Sequence, residues 1–286
     1  MTAIILDGLG LANELALELK QEVNSLKVIP VLKVILVGND PESQIYVRSK
    51  EKRAREIGIN LEVVSLPETI EEREILDLID RFNKQDEVDG IMVQLPLPQH
   101  ISYHNIINAL DPTKDADGFS AVNMGKLWLN EPNFIAPATP KGIMTLLDHY
   151  HLELAGKNSV IIGRSNIVSK PLASLLLARN STVTITHRQT TNIIEIARQA
   201  DFLFVATGQA EMVDKSFVKP GAVVVDVGIN RTDHGLVGDV NFSEVKQVAG
   251  YLTPVPKGVG PMTVISLMEQ VVSHAKMREE NGAKSD

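Results

Sequence analysis

The strongest constraint on the fold of this chain is an alternation of short apolar strands with amphipathic helices, which runs twice and is broken once by a proline-rich stretch. In the first series, Leu11, Leu15, Leu19, Val23 and Leu26 recur at helical spacing over residues 11–26. VLKVILV at 31–37 reads as a strand that stops at the turn signal Gly38-Asn39-Asp40-Pro41. A helix over 42–57 follows, with Gly58 as its C-cap, then strand 60–66, helix 71–84 and strand 88–94. The prolines of Leu95-Pro96-Leu97-Pro98 halt that strand. After PNFIAPATP at 132–140 the pattern restarts: helix 141–150, strand 158–162, helix 169–179, strand 181–186, helix 190–199, strands 201–206 and 222–227, and a last helix over 261–279. Strands alternating with helices imply parallel sheets covered by helices, so the expected class is α/β with two α/β domains. Ligands of such sheets sit beyond the carboxyl ends of the strands, and residues just after strands deserve the closest reading.

Composition removes several classes of function. Lys and Arg number 28 against 36 Asp and Glu, a net charge of −8, which argues against a nucleic-acid surface. The absence of cysteine excludes disulfides, thiolate nucleophiles and Cys-based metal sites, and fits a reducing cytoplasm. The opening MTAIILDGLG lacks the basic and apolar regions of a signal peptide. No apolar run approaches the roughly 20 residues that span a bilayer. No membrane partner and no nucleic-acid partner are expected.

In the second series, Val160-Ile161-Ile162-Gly163-Arg164-Ser165-Asn166 is a strand, a small-residue turn and a helix start. Free N–H groups and the helix dipole make such a turn a pyrophosphate site. The full G-x-G-x-x-G pattern is missing, since Ser165 stands at the second glycine position, and an ordinary strand-to-helix turn is the competing reading. NAD enzymes place an acid about 20 residues further on, to hold the ribose 2′-hydroxyl. Here the second strand ends in His187-Arg188, with no acid. A cation there suits a 2′-phosphate, and Arg164 offers another, so NADP is expected over NAD; the alternative is a solvated surface Arg188. Thr207-Gly208 and Gly228-Ile229 also follow strands, where they allow close backbone approach to a ligand or form simple turns.

In the first series, Tyr46 and Lys50 are four apart and share a helix face. They could offer a stacking ring and a proton-transfer group; on spacing alone, a snorkelling lysine beside a half-buried tyrosine is favoured. Gln94 ends an apolar strand, well placed to orient a ligand or a lysine. Asp111, Asp115 and Asp117 crowd one loop, read either as turn chemistry or as a ligand grip. No spacing there matches an EF-hand, and no metal is expected. The Pro- and Gly-rich TPVPKGVGPMT at 253–263 precedes the last helix and reads as a ligand wall or a stiff linker.

Eight segments in order, YVRSK (46–50), VDGIMVQLPLP (88–98), DPTKDADGF (111–119), TPKG (139–142), GRSNIVSKP (163–171), ATGQ (206–209), DVGIN (226–230) and PVPKGVGPMT (254–263), resemble the methylenetetrahydrofolate dehydrogenase/cyclohydrolase family. The resemblance runs over residues 2–279. It implies a folate-binding catalytic domain over 1–138 with the C-terminal helix from about 264, and a Rossmann-like NADP-binding domain over 139–263. It also implies a cleft between them and a homodimer through the nucleotide domain. Lys50 resembles the lysine that assists both chemical steps, Gln94 the glutamine that holds and tunes it, Tyr46 the tyrosine that stacks on the aminobenzoyl ring, and Asp117 the carboxylate that grips the pterin. Gly260 and Pro261 are expected against the substrate. The cofactor is expected on Gly163, Arg164, Ser165, His187, Arg188, Thr207, Gly208 and Ile229. This chain departs from the family pattern at Ser169 and Lys257, where glycines are usual, and at Arg188, where serine is common.

The implied chemistry is hydride loss from the methylene carbon of 5,10-methylenetetrahydrofolate, then attack of water on the methenyl carbon to give 10-formyltetrahydrofolate. For the second step Lys50 would act as a neutral base, which needs a pKa lowered by roughly 3 units from ~10.4. Burial and a cationic substrate both push that way. A monofunctional dehydrogenase and a non-catalytic NADP-binding protein are the alternatives; retention of Lys50, Gln94, Tyr46 and Asp117 argues against both.

Overall fold

The computed structural model describes residues 2–233 and 235–282. The chain divides into two compact units, one of residues 14–138 with the chain from Val264 onward, the other of residues 1–13 with 139–263.

The first unit is built on a parallel three-stranded sheet in the order Asn60–Leu66, Val31–Val37, Gly90–Val93. The middle strand is an almost unbroken run of buried aliphatics, as expected of a parallel strand covered on both faces. An isolated parallel bridge, Ile91 to Asp115, brings the acidic loop alongside the strand Gly90–Val93. Helix Pro41–Ile57 starts where Asp40 accepts the N–H of Ser43 at 2.8 Å and Pro41 takes the first turn; it ends at left-handed Gly58. Its buried face, Ser43, Val47, Ala54 and Ile57, lies on the sheet. Two short helices, Tyr103–Asn108 and Ala121–Leu129, were not foreseen; Ser102 and Ser120 cap them.

The C-terminal helix Val259–Gly282 is tied to this unit by a buried clamp. Asp89 accepts Arg278 Nε at 2.8 Å, Arg278 Nη2 at 2.9 Å and the N–H of Val31 at 2.9 Å. Gln270 Nε2 donates to Ala116 O at 2.8 Å on the same helix face.

The second unit carries, among the described residues, a six-stranded sheet in the order Ile4–Ile5, Tyr251–Leu252, Val223–Asp226, Phe202–Val205, Asn158–Ile162, Thr182–Thr186, with every pair parallel. The chain leaves Asn158–Ile162 for a neighbour on one side and returns to a neighbour on the other. The topological switch point is therefore at the carboxyl end of that strand. A hairpin, Asn230–Thr232 with Gly235–Val237, stands apart.

Three expectations are corrected here. Residues 1–13 were placed with the first unit, but Ile4–Ile5 is an edge strand of the second, pairing Ile4 with Tyr251 and Ile5 with Leu252. Two-residue strands leave no periodicity to read. The last helix begins at Val259, two residues before the expected start at 261, so Gly260 joins Pro261 in its first turn; proline there forfeits no helical hydrogen bond. Helix 190–199 contracts to Ile193–Ala197. Among the described residues, no helix is long and apolar enough to cross a membrane.

Candidate active site

In the first unit the fold converges three of the sequence-selected side chains. Helix Pro41–Ile57 presents Lys50 one turn beyond buried Val47, and the strand Gly90–Val93 delivers Met92 and, just past its end, Gln94. The Lys50 ammonium donates to Gln94 Oε1 at 3.0 Å and lies 3.2 Å from Met92 Sδ. Gln94 is itself held, its Nε2 donating to Leu95 O at 2.7 Å, and the chain then turns through cis Leu95-Pro96. One fixed amide oxygen and one thioether are weak compensation for a buried ammonium. Burial accordingly lowers the Lys50 pKa, and only the charge of Asp117 opposes it.

The acidic loop divides its labour. Asp115, fully buried, accepts N–H groups of Gly118 at 3.0 Å and Ser120 at 2.7 Å and the Asn123 amide at 3.2 Å, so it builds the turn. Asp117 is the acid coupled to Lys50. Burial pushes its carboxyl up to about 6, Lys50 pulls it down, and Asp115 pushes it further up. Tyr103, unremarked in the sequence, is the aromatic nearest in effect: burial and the charges of Asp115 and Asp117 raise its phenol to about 12. Tyr46 lies one turn before Lys50 and is 41% exposed, open enough to meet a ligand ring. Lys50, Gln94 and Asp117 thus form one cluster with Tyr46 on the same helix. Gly260 and Pro261 fall in the other unit.

In the second unit the expected phosphate turn sits at the switch point. Gly163 has φ +139°, and a Cβ there would lie 2.3 Å from Ala206 O and 2.9 Å from Ser169 Oγ. Only glycine fits such a cradle. Ser165 Oγ accepts the N–H groups of Val168 and Ser169, both at 3.2 Å, which fixes the approach to helix Ser169–Ala178. Ser169 is buried beneath the turn, so the departure from glycine is absorbed by packing. Arg164 and Arg188 are exposed, and His187 is folded into a turn, its Nδ1 accepting the Gln189 N–H at 3.2 Å and its own N–H meeting Thr190 Oγ1 at 2.9 Å. Thr207, Gly208 and Ile229 follow the strands Phe202–Val205 and Val223–Asp226, and Ile229 Cδ1 lies 3.7 Å from where a Gly260 Cβ would be. The glycine cradle, the switch point and the exposed cations Arg164 and Arg188 fit a phosphorylated dinucleotide.

Sequence reasoning missed the acids that hold these loops, Asp226 and Asp239, both buried. The available signal was an aspartate ending an apolar strand (VVVD) and another after Gly238 in a GDV triplet.

Comparison with known proteins bears out the resemblance. The model for the tetrahydrofolate dehydrogenase/cyclohydrolase catalytic domain matches residues 6–117, and that for the tetrahydrofolate dehydrogenase/cyclohydrolase NAD(P)-binding domain matches residues 137–279. The second match includes the C-terminal helix, which the clamp on Asp89 packs into the first unit. The bifunctional protein FolD of Lactococcus lactis subsp. cremoris is 52% identical over 97% of this chain and 99% of its own length. That of Enterococcus faecalis is 50% identical over 96% and 99%. Among solved structures, the bifunctional FolD methylenetetrahydrofolate dehydrogenase/cyclohydrolase of Campylobacter jejuni superposes with a TM-score of 0.95 at 45% identity, covering 96% of this chain and 99% of that one. The FolD enzyme of Trypanosoma brucei, solved with NADP cofactor and inhibitor, gives 0.93 at 36% identity, covering 97% and 98%. The chain therefore belongs to the tetrahydrofolate dehydrogenase/cyclohydrolase family.

Proposed function

We infer that this chain is a bifunctional enzyme that oxidises 5,10-methylenetetrahydrofolate with NADP and hydrolyses the methenyl product to 10-formyltetrahydrofolate, with Lys50 as the proton-transferring group. The observation that carries the reading is the Lys50 ammonium held at 3.0 Å by Gln94 Oε1, with burial depressing its pKa and the Asp117 carboxyl raised beside it.

NADP supplies the hydride acceptor, and we assign it to Gly163, Arg164, Ser165, His187, Arg188, Thr207, Gly208 and Ile229. Among these, the exposed cations Arg164 and Arg188 support recognition of a 2′-phosphate. The substrate is assigned to Tyr46, Asp117, Gly260 and Pro261. Tyr46 offers a ring face for the aminobenzoyl group, and the Asp117 carboxylate accepts from pterin N–H donors. Loss of hydride from the methylene carbon leaves a resonance-stabilised cation and needs no base, so positioning governs that step. In hydrolysis, water adds to the methenyl carbon and the bond from that carbon to N5 breaks, giving the 10-formyl product and one proton. Lys50, depressed in pKa, takes the proton of the attacking water and passes it on as the ring opens; Gln94 keeps the amine aimed.

A homodimer through the second unit is supported by the edge strand Thr182–Thr186, where Ile185 is 37% exposed on an unpaired sheet edge. Light scattering tests it: a monomer at micromolar concentration rejects the dimer. A cytoplasmic location is supported by the absence of cysteine.

The testing experiment follows absorbance during turnover of 5,10-methylenetetrahydrofolate with NADP and, separately, NAD. An acid quench converts 10-formyl product to methenyl for counting. NADPH formed in excess of unquenched methenyl is the expected result. Methenyl accumulating in step with NADPH rejects the hydrolase, and faster turnover with NAD rejects the cofactor assignment.

A further inference from the structure

The loops after Phe202–Val205 and Val223–Asp226 are joined by two buried carboxylates and not by the sheet ladder, which ends at the pair Val205–Asp226. Asp239 is wholly buried. Its Oδ2 accepts the N–H groups of Thr207 at 2.5 Å and Gly208 at 2.9 Å, and its Oδ1 accepts Asn230 Nδ2 at 2.8 Å. The Asp239 backbone is fixed in turn: its N–H donates to Asp226 Oδ1 at 3.0 Å, which also takes the Gly228 N–H at 3.0 Å, while Asp226 Oδ2 takes the Val240 N–H at 2.9 Å. The packing leaves no slack. A Cβ at Gly228 would lie 2.1 Å from Asp239 Cγ, and one at Gly238 would lie 1.8 Å from Asp226 Oδ2.

Two buried carboxylates side by side are costly, since each loses its hydration and each repels the other. Loop N–H groups at a surface could be satisfied by water at no such cost. What the carboxylate adds is rigidity: two consecutive N–H groups gripped by one oxygen fix the orientation of both peptide planes. We infer that Asp239 is a positioning residue for the cofactor, setting the backbone of Thr207 and Gly208 so that their exposed side meets the nucleotide in one geometry. The inference rests on the assignment of those two residues to the cofactor site. Asp239 is wholly buried, so it acts through the loop it holds.

Hydrolysis of added methenyltetrahydrofolate uses no NADP and reads the fold and the folate site independently. Asp239→Ala raises the KM for NADP by about tenfold or more, as misplacement of a positioning element does, while methenyl hydrolysis stays within about twofold. Amide exchange at Thr207 and Gly208 accelerates in the same variant. Asp239→Asn keeps one acceptor oxygen, and the Asn230 amide can turn over to meet it, so the rise in KM is smaller, about threefold. This is the variant to read if Asp239→Ala does not accumulate as folded protein. An unchanged NADP KM in both variants, or a parallel fall in NADP use and methenyl hydrolysis, overturns the inference. Gly163→Ala separates the two levels. If it raises the NADP KM while the Asp239 variants do not, the cofactor site stands and the positioning role falls. If none of the three raises it, the cofactor-site assignment itself fails and takes the inference with it.

Discussion

The Lys50 ammonium donates to Gln94 Oε1 at 3.0 Å, joining a helix face to a strand end across 44 residues of sequence. That bond aims the amine without neutralising it, because an amide oxygen carries no charge. Desolvation therefore sets the Lys50 pKa, and the neighbouring Asp117 carboxyl sets a limit on how far it falls.

Lys50→Met removes the proposed proton-transfer group, which the hydride step does not need. Methenyl hydrolysis is expected to fall by roughly 100-fold or more, the usual range for a lost general base, with a much smaller fall in NADPH formation. Separate assays of the two steps check this; small and equal losses contradict the assignment. In the unaltered enzyme, hydrolysis should rise with pH through the depressed Lys50 pKa, below the ordinary lysine range, because only the neutral amine accepts a proton.

Asp117 titrates at about 6 instead of 3.8. If Asp117 grips the pterin as proposed, then below that pH it is protonated and accepts poorly from pterin N–H donors, and above it the carboxylate is available. Binding of a non-reactive tetrahydrofolate analogue should therefore strengthen from pH 5 to pH 7. Asp117→Asn should flatten the profile, and Asp117→Ala should raise the folate KM strongly. Fluorescence titration across that range decides, and folate binding indifferent to Asp117 rejects the pterin contact.

Asp226 is raised from 3.8 to about 7, chiefly by burial and in part by the charge of Asp239, against the lowering effect of its backbone donors. Between those values the folded state holds a proton that the unfolded state has released. The contribution of Asp226 to stability is therefore largest at low pH and is lost as pH rises towards about 7. Asp226→Asn lacks this slope. Urea midpoints of both proteins at pH 5 and pH 8 should show the unaltered protein's advantage shrinking at the higher pH; a constant difference contradicts the shift.

Asp89 behaves oppositely. Burial pushes its carboxyl up, but the His274 ring 3.6 Å away, the hydrogen bonds from Arg278 and the Val31 N–H, and the Arg278 charge outweigh burial and hold it below the usual range. It stabilises the fold at neutral pH and loses that contribution as pH falls through its lowered pKa. Asp89→Ala leaves Arg278, whose side chain is 24% exposed, without its buried partner. A loss of about 3 kcal/mol is expected, the low end for a broken buried pair because Arg278 retains some access to water. Equilibrium denaturation measures it, and a loss below ~1 kcal/mol would place this pair with ordinary surface bridges.

What the sequence determined by itself was whatever local physics writes into consecutive residues. Val31–Val37 and Asn60–Leu66 begin and end where β-branched runs meet turn residues, and Gly58 closes its helix in the left-handed conformation that glycine adopts at least cost. The eight ordered motifs marked Lys50, Gln94, Asp117 and the Gly163 turn individually. Tertiary structure decided what touches what. Parallel pairing joined Ile4–Ile5 to Tyr251–Leu252, nearly the whole chain apart, through segments too short to show a period. It also brought Asp239 under Thr207 and Gly208, and made Asp115 the builder of its turn while Asp117 became the partner of Lys50. Helical and strand periods are properties of neighbours in sequence, whereas desolvation and charge coupling depend on distances that only the folded chain sets.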